Sequence, residues 1–326
     1  MDVALSAEQD ELIRTVRRVI EKRRIDHGPL PVRTFDPQSL DALLDNGLLD
    51  VIAGGGSPLD AELLVEETGR YGVGAPVAAR AFVAPLLLAG TGLEPGRCIA
   101  LVDRPQGGLV RFGLEADQLL VLDGDVAVVA GSSDVKREEV HTRWGFPVAR
   151  VHVHGGRRLG AGSGAQLRRL WKIGLAAEGS GLMSASVARA AEYVTGRHQF
   201  GKAIGSYQAV QHRLARAKVM AEGTAWLARR AAWTPDDELA VGMAAIFGAE
   251  GMRDSVKDVQ QVCGAIGITD EFELTRTSMK MAYLATELGG PTAHARAYAR
   301  ERYLTGRSRR PAPGYMGKGV RPSLMG

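Results

Sequence analysis

Residues 197–212, RHQFGKAIGSYQAVQH, bring an arginine, an aromatic–glycine pair, a second glycine and two glutamines between two stretches that read as long helices. Arg197 ends one helix and Ser206 is placed to cap the next, so free backbone amides and a guanidinium collect at one corner. Such a corner attracts anions. A planar guanidinium matches phosphate oxygens in pairs, Gly201 and Gly205 let a ligand approach the backbone, and Phe200 offers a flat apolar surface. An ordinary helix hairpin ending in an arginine would use the same residues. A second corner lies in QQVCGAIGITDEFEL, residues 260–274, where Gly264 and Gly267 end a helix, Thr269 is placed to cap another, and Gln261 presents an amide. Other residues point to structure instead. His152 and His154 alternate on an expected strand, His294 reads as structural, and Met279, Met281 and the tryptophans fall at helical spacings that place them in the core.

These corners need elements to hold them. The 326-residue chain is 45% apolar, enough to bury a core and long enough for two or three domains. Residues 6–24 pattern as an amphipathic helix with Ser6 and Gln9 as a capping box, and short helices follow over 37–46, from Ser57 and Pro58 to about Gly72, and over 76–89. Between 97 and 154 the pattern changes to about five short β-runs separated by Gly, Asp and Pro. Helical periodicity then returns over 166–195, 206–232, 236–263, 271–288 and 291–304, lengths that suit an antiparallel bundle. The fold class is α+β, with an N-terminal helical domain at 1–95, a short β-domain at 96–160, a long-helix bundle at 161–304 and a basic tail at 305–326.

Composition excludes several classes of function. No apolar run approaches the roughly 20 residues of a membrane span, and the start of the chain lacks an export pattern. Cys98 and Cys263 have no CxxC spacing and no paired histidine, which argues against a disulfide framework or a zinc site and favours a reduced, cytoplasmic setting. The formal charge is +4, but residues 305–326 hold five arginines and lysines and no acid, leaving the rest near −1. A nucleic-acid partner is therefore not expected, and the tail reads as disordered or docked along a neighbouring subunit.

The two corners within this order of elements make the chain resemble the acyl-CoA dehydrogenase superfamily over residues 1–304. Arg197, Gln199, Phe200, Gly201, Ile204, Gly205 and Gln208 match its RxQFG(x)2IG(x)2Q signature, and Gln261, Gly264 and Gly267 match QxxGGxG with Ala265 at the second glycine. The resemblance implies an FAD cofactor. Arg197 would meet its pyrophosphate, with Gln199, Phe200, Ile204, Tyr207 and Val210 along its edge, while the flavin ring rests in a neighbouring subunit. It further implies α,β-dehydrogenation of an acyl-CoA thioester by a carboxylate base.

Here the chain departs from the pattern. The two positions at which relatives carry the base fall on Trp171 and on Leu288 or Gly289, none of them acidic; Glu178 and Glu287 are the nearby candidates. The β-domain is also short and lacks the Thr and Trp residues that hold the flavin. The combination resembles the small subunit of heteromeric α2β2 acyl-CoA dehydrogenases, in which a larger subunit supplies the missing parts. That resemblance implies an actinobacterial source, a steroid-derived CoA thioester as substrate, and an electron-transferring flavoprotein as acceptor. Two alternatives stand beside it: a homotetrameric enzyme using Glu178 or Glu287, and a non-catalytic scaffold subunit that Ala265 would favour.

Overall fold

The computed structural model describes residues 4–27 and 34–304; the expectation for the 305–326 tail lies outside them. Helix α1 (Ala7–His27) opens with the reciprocal cap that its sequence predicts: Gln9 N donates to Ser6 Oγ at 3.2 Å and Ser6 N to Gln9 Oε1 at 3.1 Å. Its buried Val16 and Ile20 face α2 (Pro37–Asp45) and α3 (Pro58–Tyr71). Helix α2 is capped by Asp36, which also holds the buried Arg23 at 2.9 Å. Helix α3 carries a full capping box between Ser57 and Asp60, and Gly72 closes it in the left-handed region.

The helix expected over 76–89 is divided. A π-helical segment, Ala78–Val83, precedes α4 (Ala84–Leu88), and Ala84 N donates to Ala79 O, five residues back. Pro85 is the cause: without an N–H it cannot continue the α-register, and the chain widens one turn before it.

Between residues 99 and 158 seven strands form two sheets, where about five strands were expected over 97–154. One has the order β1 (Ile99–Val102), β3 (Gln118–Asp123), β4 (Val126–Gly131), β7 (Arg157–Arg158), and the other β2 (Gly108–Arg111), β6 (Val148–Val153), β5 (Val135–Val140). Leu119, Val121, Ala100, Val102, Val110, Ala149 and Val151 pack between the sheets, while Leu120, Leu122, Ala127 and Val129 join the helical core. Strands β3 and β4 are thus covered on both faces, which is why their sequences run apolar instead of alternating.

Helices α5 (Ser163–Gly196), α6 (Gln208–Trp233) and α7 (Glu238–Cys263) make the long bundle. Rows of small residues, such as Ala217, Ala221, Ala228 on α6 and Ala244, Gly248 and Ala249 on α7, are buried where these helices meet. Helix α8 (Leu274–Leu284) ends four residues earlier than expected; Leu288 then adopts φ 53° and α9 (Gly290–Ala299) begins. No helix among the described residues is long and apolar enough to cross a membrane.

Two expectations for the core need correction. Trp226 and Trp233 are 37% and 58% exposed on α6, and Met279 is only half-buried, whereas Trp171 and Met281 are buried. An alanine-rich helix packs closely through its small face, which leaves bulky neighbours outside.

Candidate functional site: an open corner and an ion-pair cluster

The first corner is built by a minimal hairpin. Strands β8 (His198–Gln199) and β9 (Lys202–Ala203) pair around Phe200 and Gly201, both with positive φ (55° and 82°), and Ile204 N donates to Arg197 O at 2.8 Å to close the loop. Consecutive left-handed residues are what a two-residue hairpin turn requires. Glycine meets the requirement without strain, but phenylalanine does not. The strained Phe200 is thrust outward, with 90% of its surface exposed.

Arg197, Gln199, Gly201 and Gln208 are exposed beside it, and Tyr207 is half-buried with the Lys202 ammonium 4.2 Å from its ring centroid. Among the described residues the Arg197 guanidinium has no ion pair or hydrogen bond. Ser206 does not cap α6: its hydroxyl donates to Ala203 O, Tyr207 takes the cap position, and the first turn has no side-chain cap. A free guanidinium and an uncapped helix start therefore lie next to an exposed ring.

The second corner lies at the same end of the bundle. Ile204, Val210, Ile266 and Phe272 pack on one cluster of Val187, Ala190, Val194, Val259 and Val262, so Ile204 and Val210 serve mainly to hold the first corner in place. Gly264 has φ 67° and ψ −148°, a conformation open essentially only to glycine, and nothing lies within 4 Å of where its Cβ would be. Gln261 and Ala265 are exposed around it. Gly267 is different: it is buried, and a Cβ there would come within 3.0 Å of Cys263 and Gln260, so its smallness serves the packing of its own chain. Thr269 does not cap α8; its hydroxyl donates to Ile266 O, and its own carbonyl accepts from Thr275. The cradle, the free cation and the apolar ring together fit a dinucleotide such as FAD.

About the remaining candidates, the structure brings Glu178 and Glu287 together. Arg111, from β2, donates through Nε to Glu287 Oε1 at 2.6 Å and through Nη1 to Glu178 at 3.1 Å, and Trp171 Nε1 donates to Glu287 Oε2 at 2.8 Å. The Arg111 guanidinium also stacks over Phe146 at 4.6 Å. Burial lifts the Glu287 carboxyl above the ordinary carboxylate range, and Arg111 and the Trp171 N–H pull it back. Burial opposes the charge on Arg111, but Glu178 and then Glu287 outweigh it.

Close by, Lys280 is 1% exposed and donates to Gly72 O at 2.6 Å and Val73 O at 3.2 Å. Burial brings its pKa down to about 7. The cavity bounded by Arg111, Trp171, Glu178, Glu287, Phe112 and Ile99 has a volume of about 20 Å³. That is room for about one water and not for an acyl chain. Both glutamates are thus ion-paired with Arg111, and Glu287, Arg111 and Trp171 also border a second cavity of about 290 Å³ lined by Leu109, Tyr283 and Leu288.

Arg111, Phe146 and Lys280 are absent from the residues singled out in the sequence. The signal available for Arg111 is a charge at the end of the short run GLVR, at a position whose neighbours are apolar. His294 is buried and burial lowers its pKa to about 4, which keeps it neutral and structural. His152 is exposed on β6, the middle strand of its sheet, and His154 is exposed just beyond the end of that strand. Among the described residues no group of histidine, cysteine and acidic side chains could hold a metal ion.

The family model for the acyl-CoA dehydrogenase C-terminal domain matches residues 169–304. The chain is 26% identical over 312 residues to the acyl-CoA dehydrogenase IpdE2 of Mycolicibacterium smegmatis, covering 88% of this chain and 96% of that protein. It is 30% identical over 249 residues to the acyl-CoA dehydrogenase FadE34 of Mycobacterium tuberculosis, covering 67% of this chain but 35% of FadE34. Its fold superposes on a chain of the ChsE4-ChsE5 complex from Mycobacterium tuberculosis with a TM-score of 0.81 at 22% identity, covering 94% and 100% of the two chains. The family model over the bundle, the relatives and the whole-chain fold agree: this chain belongs to the acyl-CoA dehydrogenase superfamily, a family of FAD-dependent oxidoreductases.

Proposed function

We propose that this chain is the small subunit of a heteromeric acyl-CoA dehydrogenase, providing the pyrophosphate and adenosine contacts of an FAD whose flavin ring and catalytic base belong to a larger partner in an α2β2 assembly. The observation that carries this reading is a contrast: Arg197 is exposed and, among the described residues, unpaired, whereas Glu178 and Glu287 are both held by Arg111. When bound, FAD supplies the hydride acceptor for α,β-dehydrogenation. Arg197 would meet the pyrophosphate, the uncapped start of α6 would add to the positive field there, and Phe200, Tyr207, Gln199, Gln208, Gln261 and the bare backbone at Gly201 and Gly264 would line the dinucleotide. Gly267 is left out of that set because it packs inward. The three units would be residues 1–95, 96–160 and 161–304.

The same reading assigns no base to this chain. Glu178 and Glu287 both accept from Arg111, and Glu287 also from Trp171, so either would have to give up charge-assisted bonds to act as a base. An acyl-CoA thioester of the steroid-derived class is the proposed substrate, with an electron-transferring flavoprotein as acceptor and the cytoplasm as location. Two of the similar solved structures are described as pairs of chains, the ChsE4-ChsE5 complex and the Tcur3481-Tcur3483 steroid ACAD variant, and this supports a partner subunit.

Co-expression with the chain encoded beside it tests the proposal. The lone chain is expected to purify colourless and inactive, the pair yellow and active, and Glu178→Gln and Glu287→Gln in this chain to leave kcat of the pair within about twofold, as substitutions outside the reacting atoms do. A yellow, active lone chain that loses turnover on either substitution would establish the self-sufficient enzyme instead.

A further inference from the structure

We propose that a second anion site, separate from the Arg197 corner, lies where the ends of α1 and α3 meet α5 and the start of α8, and that it takes the phosphate or diphosphate group of a small soluble molecule. A cavity of about 310 Å³ opens there, lined by Arg24, Arg70, Arg189, Arg276, Tyr71 and Thr277 among others. That volume is at the lower end of the range of small-molecule pockets and far beyond a single water.

Three of the four arginines are already bound. Arg24 pairs with Glu21 at 3.6 Å, Arg70 with Glu67 at 3.2 Å and with Glu66, and Arg189 with Glu192 at 2.9 Å and with Glu273. Glu192 and Glu273 also line the cavity and both bond to Arg189, and the four arginines outnumber these two carboxylates. Arg276 is the exception. Among the described residues its guanidinium makes no ion pair or hydrogen bond, and its Nε is buried without a partner.

A half-buried, unpaired guanidinium is costly to leave unmatched, because burial removes water and nothing replaces it. Burial is the main effect lowering its pKa; Glu273 opposes and Arg24 adds to it. The site is also approached by the first turn of α8, an 11-residue helix without a side-chain cap, so its dipole has its positive end here. A planar fork, a ring of further guanidiniums and a helix start favour tetrahedral, multiply charged oxygen groups over a single carboxylate.

Inorganic pyrophosphate and malonate are the probes, titrated calorimetrically into the full-length chain carrying Arg197→Gln, so that the corner proposed for FAD is silenced and failure of one site cannot hide the other. One saturable pyrophosphate site is expected, weakened about tenfold by Arg276→Gln, less by Arg276→Lys, and unchanged by Arg230→Gln on the exposed face of α6. Any of three results would overturn the assignment: no saturation up to about 10 mM, equal affinity in the Arg276→Gln variant, or malonate binding as tightly as pyrophosphate.

Discussion

Glu62 on α3 is fully buried, and among the described residues neither of its carboxylate oxygens has a partner. Burial, with Glu66 beside it, raises its pKa well above 4.5, while Arg229 and Arg70 pull the other way without contact. A carboxyl whose folded pKa exceeds its unfolded one stays protonated in the fold, whereas the unfolded chain ionises near 4.5. Above that pH folding must take up a proton, so this residue lowers stability increasingly as pH rises toward its folded pKa. Replacing Glu62 with methionine, of similar length and without charge, is expected to raise stability by about 1–3 kcal/mol at pH 8, with the gain shrinking toward pH 4. Paired denaturant titrations at the two pH values measure it, and a loss at pH 8 would mean that the carboxylate is ionised and bound. The same scale shows what one sequence can reveal about acids: Glu178 and Glu287 stand out by their distance from the expected base positions, but only the fold shows that Arg111, 67 and 176 residues away in sequence, claims both.

Between elements, the crossing of α3 over α5 sets where the acidic side chains lie. A Cβ on Gly181 would lie 2.1 Å from Glu66 O and 2.8 Å from Arg70 N, and one on Gly69 would lie 2.6 Å from Glu178 O, so the two backbones touch through paired glycines. Neither neighbour can yield, because both are helix backbone. Gly181→Ala is therefore expected to destabilise the chain by about 3 kcal/mol despite alanine's better helix propensity, read as a fall in the urea midpoint, whereas Gly196→Ala, at an open position near the end of α5, should be close to neutral.

Helices were the most legible elements. Ser6 with Gln9 and Ser57 with Asp60 announce helix starts through side chains that bond within three residues, and Gly72 marks a helix end by its left-handed backbone. Legibility failed where the cause is remote or opposed. Strand β5, VKREEV, carries charges on a sheet edge, where they deter unwanted pairing, and so lacks an apolar signature. Ser206 and Thr269 have the right chemistry for caps but spend it on carbonyls three residues back.

For the molecule as a whole, the fold class and the two corners were readable because a motif and its supporting helices lie in one continuous stretch, from α5 to α8. The Arg111 ion-pair cluster was not readable, since the small cavity beside it is lined by residues from β1, β2, the π-helical segment, α5 and the turn before α9. A charge of −1 outside the tail gives no hint either that free guanidiniums remain. Those free groups allow function and stability to be separated. Arg197 is exposed and makes no side-chain bond among the described residues, so Arg197→Ala should change the lone chain's stability by less than about 0.5 kcal/mol. If the corner grips a dinucleotide across a subunit boundary, the same substitution removes charge-assisted bonds worth about 1.5–3 kcal/mol each. The purified pair should then lose FAD on dilution or gel filtration, its 450 nm absorbance falling at least tenfold relative to protein at matched concentration. Unchanged flavin content in that variant, with the pair still assembled, would place the pyrophosphate elsewhere and leave this corner a structural hairpin.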